Sequence, residues 1–370
     1  MSGAPEKRLR LLMVTPRFPP EVGGIETHVH EVSRRLAASG HFVEILTTDR
    51  TRSLPPVEIV SSGLRVRRVP AWPRGRDYYV APRLVRAIAE TSCDLVHVQG
   101  CHTFVAPLAM FAALRQRRPY IITFHSGGHS SGFRNLLRTP QWRTLRPLVR
   151  RAHHCIGVSR YEADFFSAVM GVPRERFSVI PNGGELPAAI MPDSAEGGPL
   201  IVSIGRLERY KGHHRLIEAL PLLLRHVPDA RIRILGEGPY RPKLEALTRR
   251  LGLEQQVSIG GFPPAERARL AGVLASAAVV TLLSDYEAHP VAVMEALALG
   301  RRVLVTACTG FSEMIDGDAV AAIQPEAGPS EIASALLERL GKGTLPSPIA
   351  LPTWDDCAAR LAAQYRGVLQ

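Results

Sequence analysis

Residues Leu200–Leu235 read LIVSIGRLERYKGHHRLIEALPLLLRHVPDARIRIL. Leu200 to Ile204 is a short, mostly apolar run bounded by a polar loop, GRLERYKG, as a buried strand requires. Leu216, Ile217 and Leu220 then recur at helical spacing, and Arg231 to Leu235 forms a second strand-like run. Strand, helix, strand is a βαβ unit, and its crossover implies parallel pairing.

The same order opens the chain. Leu9 to Val14 is apolar, TPRFPPEVGG is a Pro- and Gly-rich loop, Ile25, Val29, Val32 and Leu36 mark a helix, and Val43 to Thr47 is a second strand. Further candidate strands in the first half are Leu95 to Val98, Tyr120 to Thr123, His154 to Val158 and Ser178 to Ile180. Those in the second half are Val257 to Ile259, Val279 to Leu283, Arg302 to Val305 and Ala319 to Ile323. Strands alternating with helices predict an α/β protein of two doubly wound domains. Leu186 to Pro199 lacks a clear period and reads as the linker, which places the domains at residues 1–187 and 188–353. The helical stretch 354–370 is expected to cross back onto the first domain.

A chain of 370 residues exceeds what one core serves, and 45% hydrophobic with 22% charged residues is globular in composition. No run of about 18 apolar residues occurs, and the polar start leads straight into a strand, so a cytoplasmic protein is expected, possible peripheral contact with the inner membrane face included. Five scattered cysteines argue against a disulfide framework and supply no metal-ligand spacing. The net charge of +12 is uneven. Residues 1–190 hold 27 Lys and Arg against 14 Asp and Glu, and the remainder 19 against 20.

Two carboxylates, Glu287 and Glu295, stand eight residues apart across a loop and the start of an apolar helix. Both are expected at the C-terminal edge of the second sheet, where a carboxylate can accept vicinal hydroxyls of a sugar or ribose. Taken alone they read equally well as solvated acids near a helix start. Arg206 and Lys211 lie on another loop of the same edge and suit a diphosphate, the Arg as a bidentate clamp and the Lys as a point charge. After the next strand, Gly236-Glu237-Gly238-Pro239 is a tight turn where backbone can approach a nucleotide.

The ordered elements GGIETHV, TFHSG, GVSRYEADF, VIPNGG, SIGRLERYKGHHRLIEAL, ILGEGP, GGF and DYEAHPVAVMEALALG closely resemble the retaining GT-B glycosyltransferases of family 4 over nearly the whole chain. The resemblance implies two facing Rossmann-like domains with a cleft between them, donor nucleotide on the second and acceptor mainly against the first. It gives Arg206 and Lys211 the diphosphate, Glu295 the ribose and Glu287 the donor sugar. It places His125 beside the transferred sugar, and the amides at Gly23 and Gly24 near a phosphate or sugar oxygen. His28, His97, His102 and His129 read as packing or surface residues. Where the family commonly has Glu followed by Gly, an aromatic residue and Gly, this chain has Ala288, His289 and Pro290, which removes one backbone N–H and leaves the donor sugar open.

The implied function is transfer of a hexose from a UDP- or GDP-sugar to an acceptor hydroxyl with retention, without metal or added cofactor. The expected partners are that nucleotide sugar and acceptor, with no nucleic acid. A GT-B nucleotide-sugar epimerase and a non-catalytic nucleotide-sugar-binding protein are the alternatives. A dinucleotide-dependent dehydrogenase would want GxGxxG after the first strand, which TPRFPPEVGG does not supply. In residues 133–151, Arg134, Arg138, Arg143, Arg146, Arg150 and Arg151 interleave with Phe133, Leu136, Leu137, Trp142, Leu145 and Leu148, and Pro140 and Pro147 are expected to break the stretch into short helices. It reads either as a helix completing the core or as a face for an anionic acceptor or membrane surface.

Overall fold

The structure is a computed structural model that describes residues 7–21, 23–74, 79–125, 132–192, 197–308, 318–343, 346–347 and 351–370, without the side chains of 132–140 and 264. Among these residues the chain divides into two units. The first holds the residues up to 125, Leu136–Asn182 and Thr353–Gln370, and the second holds Gly183–Pro352 together with residues 132–135.

In the first unit the strands are β1 (Arg10–Val14), β2 (Phe42–Asp49), β3 (Val57–Ser61), β4 (Leu64–Pro70), β5 (Leu95–Gln99), β6 (Tyr120–Phe124), β7 (His154–Gly157) and β8 (Phe177–Val179). They lie in the order β3-β4-β2-β1-β5-β6-β7-β8, parallel throughout except for β3 on β4. Burial on both faces explains the apolar runs of β1, β5 and β6, which alternate little with polar residues. Helices α1 (Gly24–Ala38), α2 (Arg83–Glu90), α3 (Val105–Arg115), α4 (Gly132–Val149) and α5 (Arg160–Met170) flank the sheet.

Two differences from the sequence reading concern this unit. The hairpin β3-β4 was not among the expected strands. Its charges are accommodated because Arg65 and Arg67 of β4 both pair with Glu44 of β2, while Leu64 and Val66 turn into the core. Nor do Pro140 and Pro147 break the helix, since α4 runs through both. An interior proline loses one hydrogen bond and crowds the carbonyl four residues back, a local cost of about 3 kcal/mol, but Trp142, Leu145 and Val149 anchor this helix in the core through contacts that include Trp142 against Phe165 and Phe166. That is the core-completing reading of 133–151. Arg143, Arg150 and Arg151 are exposed, whereas Arg146 donates to the Val169 carbonyl at 2.7 Å. The side chains of Phe133, Arg134, Leu136, Leu137 and Arg138, and His129 altogether, lie outside the described residues.

The C-terminal helix α11 (Trp354–Leu369) belongs to this first unit and packs on α1. A capping box of Thr353 and Asp356 starts it, Trp354, Leu361 and Tyr365 are buried, and Arg35 of α1 meets Asp355 at 2.6 Å.

The second unit contains β9 (Leu200–Ile204), α6 (His213–Leu223), β10 (Arg231–Leu235), α7 (Arg241–Arg250), β11 (Val257–Ile259), α8 (Arg267–Ser276), β12 (Val279–Leu282), α9 (Val291–Ala298), β13 (Arg302–Thr306), β14 (Val320–Ile323) and α10 (Pro329–Gly341). Its six strands are all parallel in the order β11-β10-β9-β12-β13-β14. This is the doubly wound 3-2-1-4-5-6 order. Its direction reverses between β9 and β12, so the loops that leave those strands diverge and open a crevice at their carboxyl ends.

Candidate functional site

The loop after β9 carries Arg206 and Lys211, and the loop after β12 carries Glu287, so sequence-distant charges reach one edge on either side of the reversal. Lys211 Nζ lies 2.5 Å from Glu287 Oε1, which also accepts from Ser284 Oγ at 2.7 Å. Glu287 is 7% exposed, and a carboxylate so enclosed needs donors of this kind. Tyr210 and Tyr286, the residues just before the pair, stack at 5.5 Å between centroids and 15° between planes. The backbone ties the loops as well, Asp285 N donating to Tyr210 O at 2.8 Å.

Two glycines permit this closeness. Gly212 has φ +72, and a Cβ there would fall 1.9 Å from the Leu283 carbonyl oxygen. Gly236 has φ +157, and its Cβ would fall 1.9 Å from the Gly205 carbonyl oxygen. Any side chain at either position would drive the loops apart. The Gly236-Glu237 backbone therefore abuts the loop of Arg206 and Lys211, with Leu207 N donating to Glu237 O at 3.0 Å. The Glu237 carboxylate itself is mostly exposed and meets Arg241 at 3.3 Å, so this residue faces the loop by its main chain. Arg206, one-third exposed, reaches Glu208 at 3.3 Å. Beneath them, His213 bridges Ser203 Oγ at 2.8 Å and the Arg206 carbonyl at 3.3 Å. Burial lowers its pKa to about 4.

Glu295, on α9, is 2% exposed and pairs with Arg267 at the start of α8. Sequence reasoning missed Arg267, because a residue 28 positions away on another helix carries no local signal. Ser284 was also missed, although a hydroxyl three residues before an acid at a strand end is a recognisable pairing. Pro290 is the N-cap of α9, where its missing N–H removes no helical bond.

In the first unit, the loops leaving β1, β5 and β6 define the corresponding edge. Gly23 is the N-cap of α1, and Glu26 Oε2 would be 2.3 Å from a Cβ there, so this helix start is already covered by the Glu26 carboxylate, while Gly24 is exposed. His125 follows β6 directly, with its Nε2 2.7 Å from Gln99 Oε1 at the end of β5. His28 of α1 stands against it, ring centroids 4.7 Å apart, and His97 bonds both Thr123 at 2.7 Å and Tyr365 of α11 at 2.8 Å. His28 and His97 are buried and His102 is exposed. His125 keeps some contact with solvent, yet burial, and then the neighbouring His28, His102 and His97, hold its pKa well below the ordinary imidazole value. Burial lowers His28 to about 4.

Among the described residues no group of three or more His, Cys, Asp or Glu could hold a metal ion, and no helix is long and apolar enough to cross a membrane.

Comparison with known proteins matches residues 22–186 to the Glycosyltransferase Family 4 model and residues 191–342 to that of Glycosyl transferases group 1. The chain is similar to D-inositol 3-phosphate glycosyltransferase of Xylanimonas cellulosilytica, 28% identical over 99% of this chain and 98% of that protein. It is 30% identical to GDP-mannose-dependent alpha-(1-6)-phosphatidylinositol monomannoside mannosyltransferase of Mycolicibacterium smegmatis, over 69% of this chain and 68% of that one. Its fold matches sucrose-phosphate synthase from Thermosynechococcus elongatus with a TM-score of 0.77 at 20% identity, covering 98% and 99% of the two chains. With two parallel-sheet units of GT-B type and both family models matched in order, the chain belongs to the family 4, group 1 glycosyltransferases and is an enzyme of that class.

Proposed function

We propose that this enzyme transfers a hexose from a UDP- or GDP-sugar to an acceptor hydroxyl with retention at the anomeric carbon and without a metal ion. The observation that carries the reading is the convergence of Lys211, Glu287 and the loop of Arg206 at the strand-order reversal of the second sheet. Arg206 and Lys211 meet the diphosphate, Glu295 accepts from the ribose hydroxyls, Glu287 accepts from the donor sugar, and the Gly236-Glu237 main chain passes close to the nucleotide. His125 stands beside the transferred sugar.

As the bond from the anomeric carbon to phosphate oxygen breaks, its electron pair stays on the leaving diphosphate. Negative charge there is greatest in the transition state, where two fixed cations and the amide end of α9 are worth most. The acceptor oxygen attacks the face the diphosphate leaves, and the acceptor proton passes to the departing phosphate oxygen. A side-chain nucleophile is not required.

The acceptor is phosphorylated or lipid-linked, and it meets the basic first unit. Supporting this are the surplus of cations in residues 1–190 and the anionic inositol compounds in the names of both relatives. A thermal-shift and calorimetric screen of UDP, GDP, ADP and dTDP and their sugars tests the donor. Stabilisation by a UDP or GDP compound, with turnover that survives EDTA, is the expected result. Activity lost in EDTA and restored by magnesium or manganese would refute the metal-free site.

A further inference from the structure

One contact at His125, with the amide oxygen of Gln99 turned to the ring, indicates where its proton sits. Gln99, the last residue of β5 and 1% exposed, offers Oε1 to His125 Nε2 at 2.7 Å. An amide oxygen only accepts, so Nε2 carries the hydrogen and Nδ1 keeps its lone pair. On the other side, His28 Nδ1 is 2.8 Å from Asn182 Oδ1, which by the same reasoning puts the His28 proton on Nδ1 and leaves its Nε2 as an acceptor. The two rings meet edge to face at 66°, and the Trp354 ring lies 5.9 Å from that of His28.

This arrangement is costly to keep. Among the described residues His28 Nε2 and Gln99 Nε2 are both buried without a hydrogen-bond partner, and a buried unsatisfied polar group calls for a reason other than stability. Packing alone would be served by Leu or Met at position 99. The titratable groups facing His125 are all imidazoles: His28 from α1, His97 from β5 and His102 from the loop after it. No carboxylate is in contact with it among the described residues, so nothing there favours an imidazolium.

We propose that Gln99 is a positioning residue for glycosyl transfer, which holds His125 as the neutral Nε2–H tautomer so that Nδ1 serves as an acceptor for a substrate hydroxyl. The inference rests on the reading that His125 stands beside the transferred sugar. A protonated ring, or the opposite tautomer, would turn an N–H toward that hydroxyl and lose the acceptor.

The test uses the full chain with Gln99→Met and Gln99→Glu. Long-range proton–nitrogen NMR of the histidine side chains needs no substrate, and in the wild-type protein His125 is expected as the Nε2–H tautomer, still unprotonated where an ordinary imidazole would already be charged. Gln99→Glu introduces a negative partner and is expected to raise the His125 pKa by about 1–3 units, with activity falling on the acid side where the parent is flat. Gln99→Met is expected to lower kcat about tenfold or more with KM for the nucleotide sugar within about twofold, the pattern of a lost transition-state contact. An Nδ1–H tautomer in the wild-type protein, or Gln99→Met with unchanged kcat, overturns the proposal. Full activity in His125→Ala would instead refute the reading of His125 itself, and the proposal with it. Thermal unfolding of each variant separates these outcomes from misfolding, and the wild-type tautomer stands as a test that requires no variant.

Discussion

Lys211 and Glu287, 76 residues apart in sequence, share a hydrogen bond of 2.5 Å at the point where the strand order of the second sheet reverses. The ammonium has three N–H groups, so it can hold Glu287 with one and meet a phosphate oxygen with another. It also lies over the Tyr210 ring at 5.4 Å, a second restraint on its position. The pair thus arrives at the substrate already oriented. The entropy of fixing a lysine side chain is lost on folding instead of at each turnover.

Lys211→Ala and Arg206→Ala are therefore expected to lower kcat by about 100-fold or more, because charge on the leaving diphosphate is greatest in the transition state. Steady-state kinetics with the donor identified by the nucleotide screen checks this. A rise confined to KM would show that the cations bind the ground state only.

Glu295→Ala is expected to weaken nucleoside-diphosphate binding by about 1–3 kcal/mol, the scale of a lost hydrogen bond to a charged group. Since Arg267 pairs with this carboxylate, the losses in Arg267→Ala and in the double variant should be non-additive. Calorimetric titration of the four proteins measures the coupling, and strictly additive losses would separate Arg267 from the site.

Acid should destabilise both units. His28 in the first and His213 in the second titrate near 4 when folded, below the ordinary 6.5, because burial disfavours the imidazolium. Between these values the unfolded chain binds protons that the folded chain refuses, so stability is full above about pH 7 and is lost as pH falls from 6.5 toward 4. Each group accounts for on the order of 3 kcal/mol across that window. Denaturant midpoints measured at pH 7.5, 6 and 5 are expected to fall in step, and a constant midpoint would show that water reaches these rings.

The exposed arginines that follow α4's anchored residues bear on the acceptor. Vesicle co-sedimentation at low and high salt is expected to show binding to anionic but not zwitterionic lipid, weakened when Arg143 and Arg151 are changed to Gln, at about 1 kcal/mol per residue. Arg146 and Arg150 are left in place because their guanidinium groups serve the Val169 and Gly171 carbonyls. Binding indifferent to lipid charge, or to these changes, would leave a soluble acceptor.

Strand-forming runs such as Leu11–Val14 and Ile121–Phe124 were legible because strands buried on both faces must be apolar at every position, and the helices between them because one apolar face repeats at helical spacing. The β3-β4 hairpin escaped that reading, since Arg65 and Arg67 are neutralised by Glu44, which lies on another strand and 21 residues before Arg65. The proline-containing α4 escaped it for a related reason, because tertiary anchoring of Trp142, Leu145 and Val149 outweighs a local breaker.

The order of motifs by itself determined the family, the doubly wound fold and the charged residues to watch, because residue type and spacing suffice wherever neighbours in space are neighbours on one element. Which charge meets which was decided only in the tertiary structure. The pairing of Lys211 with Glu287 depends on Gly212 letting separate loops touch, that of Glu295 with Arg267 on the packing of two helices, and the tautomer of His125 on a strand neighbour 26 residues away. The physical reason is range: propensity and periodicity act over a few residues, whereas a buried polar group takes its partner from whatever element the fold brings within about 3 Å.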